Sequence, residues 1–546
     1  MTCAVLILAA QLAGASAAGL QPAAAALDAG RLEEAETLYR QALDDRRSYD
    51  ALVGLGVVLG REQRSSEAER TLGEAISMDP GRPEAWLERG GVLFLERRYA
   101  RGVRDLRAAL ARGADEAYTR DLLATSLHLA GRPLEALGQW NRLGQPRLRQ
   151  LNLIGLRYTR ADLVRAEILP AEGRLLLADD VRETRLRLLE LGVFGRVTLR
   201  AEPLGNGVAD LDVAVVDRRG LGQSWRESAG ITAVDLVSHS LRARYLNLFG
   251  SGTSLAGRWR WEENRPEVAV EVDWARPGGR SGRLQLVGRR GRQLFTMGES
   301  EQIDESSRSV AIRYRRVLGD RTVGFAALGV THRSYSRDHP QALPGWAPGL
   351  GLGSETTIVD TYRSRMDLQW GGWAASGSPS RRYVRASASA VYRIALGPAG
   401  ERTLQRSVIA CRLAGAVASS RTPIGEWLAP GSSADLEWPL RAHRQTSHGT
   451  LGVMPLTRRI LMANLEWRQR IIRGRLGEIG LVPFVDAAWL GGRSYGDVER
   501  VSRRQFADAG LGVRLTLPGG GVLRADAGFG IMDHAHALTV GLGQTF

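Results

Sequence analysis

Residues 268–275 read VAVEVDWA. Val268, Val270, Val272 and Trp274 fall on one side of an extended chain, and Ala269, Glu271, Asp273 and Ala275 on the other, because successive side chains of a strand point to opposite faces. The stretch before it, SLAGRWRW at 254–261, repeats the pattern: Leu255, Gly257, Trp259 and Trp261 oppose Ser254, Ala256, Arg258 and Arg260. A soluble sandwich and a membrane barrel share this alternation, so the extent of the pattern decides between them. It recurs from about residue 222 to the end, in segments separated by Gly, Pro, Asp and Arg-rich turns. Those 325 residues divide into about 16 strands at roughly 20 residues per strand and turn, an even number suited to a closed transmembrane barrel. Closure is required because an open sheet edge in hydrocarbon leaves backbone groups unpaired. The apolar face then meets lipid, the polar face lines a wet lumen, and Trp residues supply interfacial girdles. No run of 18 or more apolar residues occurs elsewhere, which leaves strands as the means of crossing a membrane.

The chain has 546 residues, too many for one ordinary core. Its net charge of +15 comes with 74 Lys and Arg residues, all of them Arg, and with no clusters of stacking aromatics between them. A complete absence of Lys reflects composition rather than phosphate recognition, so no nucleic-acid partner is expected. Two cysteines, Cys3 and Cys411, make neither a disulfide framework nor a metal site. Cys411 shares the phase of Ile409 and Leu413 and reads as a small lipid-facing hydrophobe. Residues 3–20, CAVLILAAQLAGASAAGL, carry an Ala15-Ser16-Ala17 pattern of the kind cleaved after a secretory signal, giving an expected signal segment at 1–17. A buried first helix is the alternative.

Small residues recur through the first quarter of the chain. Ala23, Gly56, Gly90 and Ala124 form one series and Ala35, Ala68, Gly102 and Ala136 another, spaced 33, 34 and 34 residues apart. A third marker follows at Ala42, Ala75, Ala109 and Leu143. This is a two-helix repeat over 18–146, in which small side chains let paired helices approach closely. It resembles tetratricopeptide repeats, with Pro80 and Trp86 at positions that family favours, and the resemblance implies a groove for a protein or peptide.

Residues 149–219 change character to a β-α-α-β-β order. Gly192 stands where a helix end needs a left-handed residue, and Val193 and Phe194 turn inward after it. The stretch resembles a POTRA domain, the periplasmic module that precedes certain outer-membrane barrels. The matching features are Ile154 and Gly155 before the first helix, Gly173 before the second, LGVFGRV at 191–197 and DLDVAVVDR at 210–218. A three-stranded sheet covered by helices on one side keeps an edge that can pair with an extended client strand; the other reading is that it only spaces the repeats from the membrane.

Residues 150–546 look like the BamA/TamA superfamily of outer-membrane assembly factors and protein translocators. NLFGSG at 247–252, PGGRSGRLQL at 277–286, ANLEWRQRI at 463–471, PFVDAAW at 483–489, AGLGVRLTLPGGGVLRADAGFG at 509–530 and the terminal VGLGQTF appear in that family's order. The chain ends in ALTVGLGQTF, where Leu538, Val540 and Leu542 alternate with small or polar residues. The resemblance implies an aromatic-terminated insertion signal, Leu538, Val540, Leu542 and Phe546, with Phe546 facing lipid and read by barrel-assembly machinery. It also implies a loop threaded into the lumen, where an Arg meets an Asp of a neighbouring strand. The candidates are Arg441, in Leu440-Arg441-Ala442-His443, with Phe484 and Asp486; Val485, Ala487 and Trp489 take the outward phase. Such a charge-assisted pair is worth ~1.5–3 kcal/mol, and Lys could not reproduce the planar fork of Arg.

His534 and His536 read as a solvated hairpin loop rather than a metal site. GWAPGLGLGSE at 345–355 lacks the Lys-Ser/Thr of a phosphate loop and reads as an outer loop. No HExxH and no nucleophile-base pairing occurs, so neither an enzyme nor a cofactor is expected. The expectation is a multidomain protein: α-solenoid at 18–146, POTRA-like α/β module at 149–219 and antiparallel barrel at 222–546. It would sit in the outer membrane of a Gram-negative bacterium with 18–219 in the periplasm. Its partners would be outer-membrane lipid and periplasmic protein or peptide clients, held by the repeats and the sheet edge, which assemble into or cross the membrane. An export porin for polysaccharide, also built from helical repeats and a barrel, is the alternative, and a soluble scaffold is a third.

Overall fold

A computed structural model describes residues 19–220, 225–298, 301–361, 363–377, 381–397, 407–432, 437–474, 477–496, 504–517 and 521–546. The expected signal segment and Cys3 lie outside the described residues.

Eight helices, α1 (Gln21–Asp28) to α8 (Pro133–Asn141), form the front of the chain. Ala35, Ala68 and Ala136 have no exposed surface, and Gly102 is buried against the main chain: a Cβ there would lie 3.2 Å from the Gly90 carbonyl. A Cβ on Gly56 would lie 2.5 Å from Leu72. The small positions are therefore where helices meet, and any enlargement forces them apart. Trp86 donates from its indole to the Pro80 carbonyl at 3.2 Å, tying a helix face to the turn before it.

The middle module follows as β1 (Arg147–Ile154), α9 (Ala161–Arg165), α10 (Ala178–Glu190), β2 (Phe194–Gly205) and β3 (Val208–Asp217). The sheet order is β1-β3-β2, with β1 parallel and β2 antiparallel to β3. Leu176, Val181, Leu188, Val193, Phe194, Leu211 and Val213 make its core. Gly192 has φ +74° just past α10, a conformation that costs a residue with a Cβ. Gly155 has φ +84°, and a Cβ there would lie 2.2 Å from the Val215 carbonyl. Gly173 also has positive φ, +79°.

From residue 240 the chain is a barrel. Its strands run from β4 (Ser240–Leu248) through β5 (Thr253–Arg260), β6 (Glu267–Ala275), β7 (Arg283–Thr296), β8 (Gln302–Val317) and β9 (Thr322–Tyr335). They continue through β10 (Gly345–Asp360), β11 (Ser364–Gly377), β12 (Arg381–Leu396) and β13 (Ser407–Ala418). A long connection holding the two-residue strands β14 (Thr446–Ser447) and β15 (Thr450–Leu451) leads to β16 (Leu456–Gly474). The last are β17 (Gly477–Tyr495), β18 (Gln505–Thr516), β19 (Val522–Gly530) and β20 (His536–Leu542). β13 pairs directly with β16, and the ring closes between β20 and β4.

The wall is apolar outside and polar inside. Val268 and Trp259 are 52% and 56% exposed and Leu538 is 70% exposed, whereas Asp273 and Arg260 are buried. Leu241, Trp274, Trp346, Leu350, Trp370, Leu413, Leu465, Trp467, Val485, Trp489, Leu511 and Phe529 share the outward face. An exposed apolar surface of this extent needs a non-aqueous surrounding.

Three expectations are corrected. First, residues 225–237 do not begin the barrel as a strand: they form the helix α11 (Trp225–Val237). Val234 and Asp235 are buried side by side while Leu236 and Val237 are both exposed, a pairing of neighbours that a period of two cannot give. α11 packs against β4, β19 and β20, at the junction of first and last strands. Among the described residues the wall has fifteen long strands, in keeping with the barrel of about 16 expected, and an odd number sets β20 and β4 running in the same direction. Second, residues 345–355 are not an outer loop but the first two thirds of β10. Gly349 and Gly351 make room for the Trp373 ring: Cβ atoms there would lie 2.4 and 2.8 Å from it. Leu350 and Leu352 point outward. The glycines are a packing device inside a strand. Third, β20 ends at Leu542, Gly543 turns the chain at φ +78°, and the tail leaves the lipid side. Phe546 lies beneath the guanidinium of Arg468, 5.3 Å from ring centroid to carbon, and Arg468 Nη2 donates to its main-chain oxygen at 2.7 Å. Arg468 is in phase with Asn464 and Glu466, both buried on the lumen side, so Phe546 belongs to the lumen. Leu538, Val540 and Leu542 keep the outward phase.

Candidate functional site

The connection between β13 and β16 folds back into the barrel and is held at two levels. In the upper one, Ile424 and Trp427 pack with Phe295, Met297, Ile303, Leu456 and Tyr495, and Glu426 accepts from Arg333. The lower one is ionic and centres on Arg441, which has no exposed surface.

Arg441 Nε and Nη2 donate to the two oxygens of Asp486 at 2.8 Å each, a bidentate fork. Nη1 donates to Glu466 Oε1 at 2.6 Å and to Thr545 Oγ1 at 3.2 Å. The guanidinium carbon lies 3.5 Å from the centroid of the Phe484 ring, a cation–π contact strengthened by the burial of both groups. The loop backbone is bound as well: Arg441 N donates to Asp486 at 3.2 Å and Ala442 N to Asp508 at 2.7 Å. His443 Nδ1 lies 3.0 Å from Asp508 and its Nε2 2.9 Å from Asp533, with the ring edge-on to Phe506.

Strand register explains why these groups converge. Asn464 stands opposite Asp486, and Asp486 opposite Asp508, across β16, β17 and β18. Asn464 Nδ2 donates to Asp486 Oδ1 at 2.8 Å and to the Pro439 carbonyl at 3.1 Å. Two carboxylates facing each other across a sheet repel, and the fork of Arg441 together with the amide of Ala442 offsets that repulsion. On β19, Asp526 accepts from Arg514 Nη1 at 2.6 Å. Gly528 lets the loop lie on the wall: a Cβ there would sit 2.6 Å from the Arg441 carbonyl.

The sequence reading singled out Arg441, Phe484 and Asp486, and the structure brings these three into contact. It did not single out Glu466, Asn464, Asp508, Asp526, Gly528 or Thr545. A signal existed for the first four: each is a polar residue in the inward phase of the last strands. Thr545 and Phe546 enter the lumen because the strand ends before them, which the alternation conceals.

A second group joins the module to one end of the barrel. Glu167, 1% exposed, accepts from Arg276 Nη1 at 2.5 Å and from Ser281 Oγ at 2.7 Å. Arg315 forks onto Glu190 at 3.0 and 3.1 Å, and Arg182 reaches Asp320 at 2.7 Å. The NLFGSG turn serves the same joint, since the buried Asn247 donates to Thr159 Oγ1 at 2.7 Å and accepts from Gly252 N at 3.0 Å. All these barrel residues lie at one rim, where β4 meets β5, β6 meets β7 and β8 meets β9. Gly155 and Gly173 shape turns of the module, and Phe194 its core; none of them touches the lumen group. His534 follows Asp533, the partner of His443, and among the described residues no three His, Cys, Asp or Glu side chains are grouped to hold a metal ion.

A tetratricopeptide repeat model matches residues 23–69 and 58–117. No curated protein matches the chain. Among solved structures, BamA from Haemophilus ducreyi lacking POTRA domains 1–3 is similar at 13% identity, over 72% of this chain and 84% of that one, with a TM-score of 0.42. CdiB from Escherichia coli is similar at 12% identity over 78% and 86%, TM-score 0.49. CdiB from Acinetobacter baumannii is similar at 12% over 77% and 81%, TM-score 0.48.

Proposed function

We propose that this chain is an outer-membrane barrel of the BamA/TamA type that handles polypeptides, passing them across the outer membrane or assembling them into it. Its repeats and POTRA-like module would stand in the periplasm. The observation that carries the reading is the joint between the module and one rim of the barrel, formed by Glu167, Glu190, Arg182 and Asn247. It fixes a sheet with an edge strand, β2, beside a lipid-facing barrel whose lumen is filled by a loop. An extended client segment pairs with such an edge through main-chain hydrogen bonds that are indifferent to sequence. The groove of the repeats offers a second holding surface, and the loop seated by Arg441 keeps the lumen closed between clients. In this reading Leu538, Val540 and Leu542 form the lipid-facing part of the chain's own insertion signal.

Photocrosslinking from positions 196–203 of β2 in living cells tests the proposal. Capture of polypeptides in extended form, lost when 149–219 is deleted, is the expected result. Passage of polysaccharide through the purified barrel in a bilayer, unaffected by that deletion, would refute it in favour of a sugar conduit.

A further inference from the structure

One row of the outer wall departs from its apolar pattern. Across β5 to β10, strand register sets Trp259, Val268, Arg290, Arg308, His332 and Trp346 side by side. All six take the outward phase, since Arg290 stands opposite the exposed Val268, Arg308 is two residues from the exposed Val310 and His332 four from the exposed Leu328. Both arginines are themselves exposed. Trp259, Val268 and Trp346 each stand one residue from a strand end at the rim opposite the module joint. Towards the module the outward phase continues with Val270, Ile312 and Leu328; beyond the row it turns polar, with Asp304, Ser306 and Ser334. The row is therefore where the lipid-facing wall gives way to a wet surface, and Trp at each end is the residue suited to that depth. Like charges directly opposite each other in a sheet repel, and this row sets two guanidiniums next to each other with an imidazole beyond. Among the described residues neither Arg290 nor Arg308 has a hydrogen-bond or ion-pair partner. The carboxylate that shares their phase on β8, Asp304, is taken by Arg292 at 2.5 Å.

We infer that Arg290, Arg308 and His332 bind the phosphate-bearing headgroup of a membrane lipid at the outside of the barrel. The inference rests on the apolar outer wall and not on what the barrel handles. A guanidinium fork meets two phosphate oxygens at once. Neighbouring side chains in the row start about 5 Å apart, so both forks reach a single headgroup, and the added anion relieves their mutual repulsion. His332 supplies a further N–H, its ring set beside that of Trp346 with centroids 4.8 Å apart. The choice of a lipid over a free anion follows from the neighbouring wall. A soluble phosphate gains only the charged contact, whereas the acyl chains of a lipid also cover Val270, Ile312 and Leu328 on the side towards the module.

Native mass spectrometry of the full-length protein in detergent, freed of carried lipid by exchange, tests this with diphosphoryl lipid A as probe. The phosphorylated lipid is expected to bind, and the same lipid stripped of its phosphates to bind far more weakly. That comparison uses the unaltered protein and needs no variant. Arg290→Gln combined with Arg308→Gln should weaken binding about a hundredfold, the loss of two charge-assisted contacts at about tenfold each. Arg459→Gln, exposed in the outward phase of β16 beside Leu461, should leave binding unchanged, which separates this row from any arginine at the membrane surface. Circular dichroism and resistance of the barrel to heat in detergent establish that the variants fold. Equal binding of the phosphate-free lipid, unchanged affinity in the double variant, an equal loss in Arg459→Gln, or pyrophosphate binding as tightly as the lipid would overturn the inference. Capture of polypeptides by crosslinking from β2 is untouched by any of these results, so the two readings stand or fall separately.

Discussion

Replacing Arg441 tests whether the lumen loop is held by one side chain. Arg441→Ala removes the fork onto Asp486, the bond to Glu466 and the stack on Phe484, and leaves two carboxylates with no exposed surface facing each other's field. Breaking a buried pair by deleting one partner costs about 3–5 kcal/mol, most of it the uncompensated charge. Arg441→Lys separates charge from shape: one ammonium cannot reach both oxygens of Asp486 together with Glu466, so about half of that loss is expected. If the upper anchor at Ile424 and Trp427 contributes a few kcal/mol of apolar burial, losing the lower one shifts a loop seated nearly all the time to one that leaves the lumen often. Single-channel recording in planar bilayers reads this directly. Arg441→Ala should show frequent large-conductance openings, and protease added on the loop side should cut between 419 and 455. Arg441→Ala combined with Asp486→Ala should be less perturbed than the sum of the single changes, because the orphaned carboxylate is gone. Closed, protease-resistant channels in Arg441→Ala would refute the assignment of the loop's seat to this residue.

Gly528→Ala should mimic that phenotype with every charge intact, since its Cβ would lie 2.6 Å from the Arg441 carbonyl; a normal conductance record would show that the loop approaches the wall less closely than stated. Glu167→Gln keeps the shape of the joint but weakens its hold on Arg276 and Ser281, and should speed proteolysis of the linker near residue 220 while leaving barrel heat resistance unchanged. Burial in α5 (Glu84–Leu95) pushes the Glu88 carboxyl up from 4.5 to about 8, with Arg61 opposing only in part. The folded repeats therefore hold a proton that the unfolded chain gives up. Their stability should be highest below about pH 4.5 as far as this group is concerned and fall by a few kcal/mol as pH rises through about 8. Glu88→Gln should flatten that slope in helix melting followed by circular dichroism, and an unchanged slope would sink the argument.

Much of the architecture was legible because it is periodic. A period of two over about 300 residues and small residues recurring every 33 or 34 residues are each set by backbone geometry, and both survive any variation in detail. Asp486 could be placed inside the barrel from the outward phase of Val485 and Trp489. What the pattern could not carry was local or long-range. Gly349 and Gly351 look like loop glycines until the Trp373 ring they admit is known, and that residue lies on the next strand. α11 covers a single segment with no repeat to compare. The rest of the carboxylate group around Arg441 is a matter of register, fixed by strand pairing and invisible to spacing along the chain. The inward turn of Phe546 depends on where β20 stops pairing.

Register has a further consequence for Arg441. Its anionic seat is assembled from β16, β17, β18 and β19, one or two residues from each. Sliding any of these strands by a single residue would turn its carboxylate out into hydrocarbon. The loop can therefore settle only after the final third of the wall has formed without error, which makes its docking a proofreading step for the barrel's own construction.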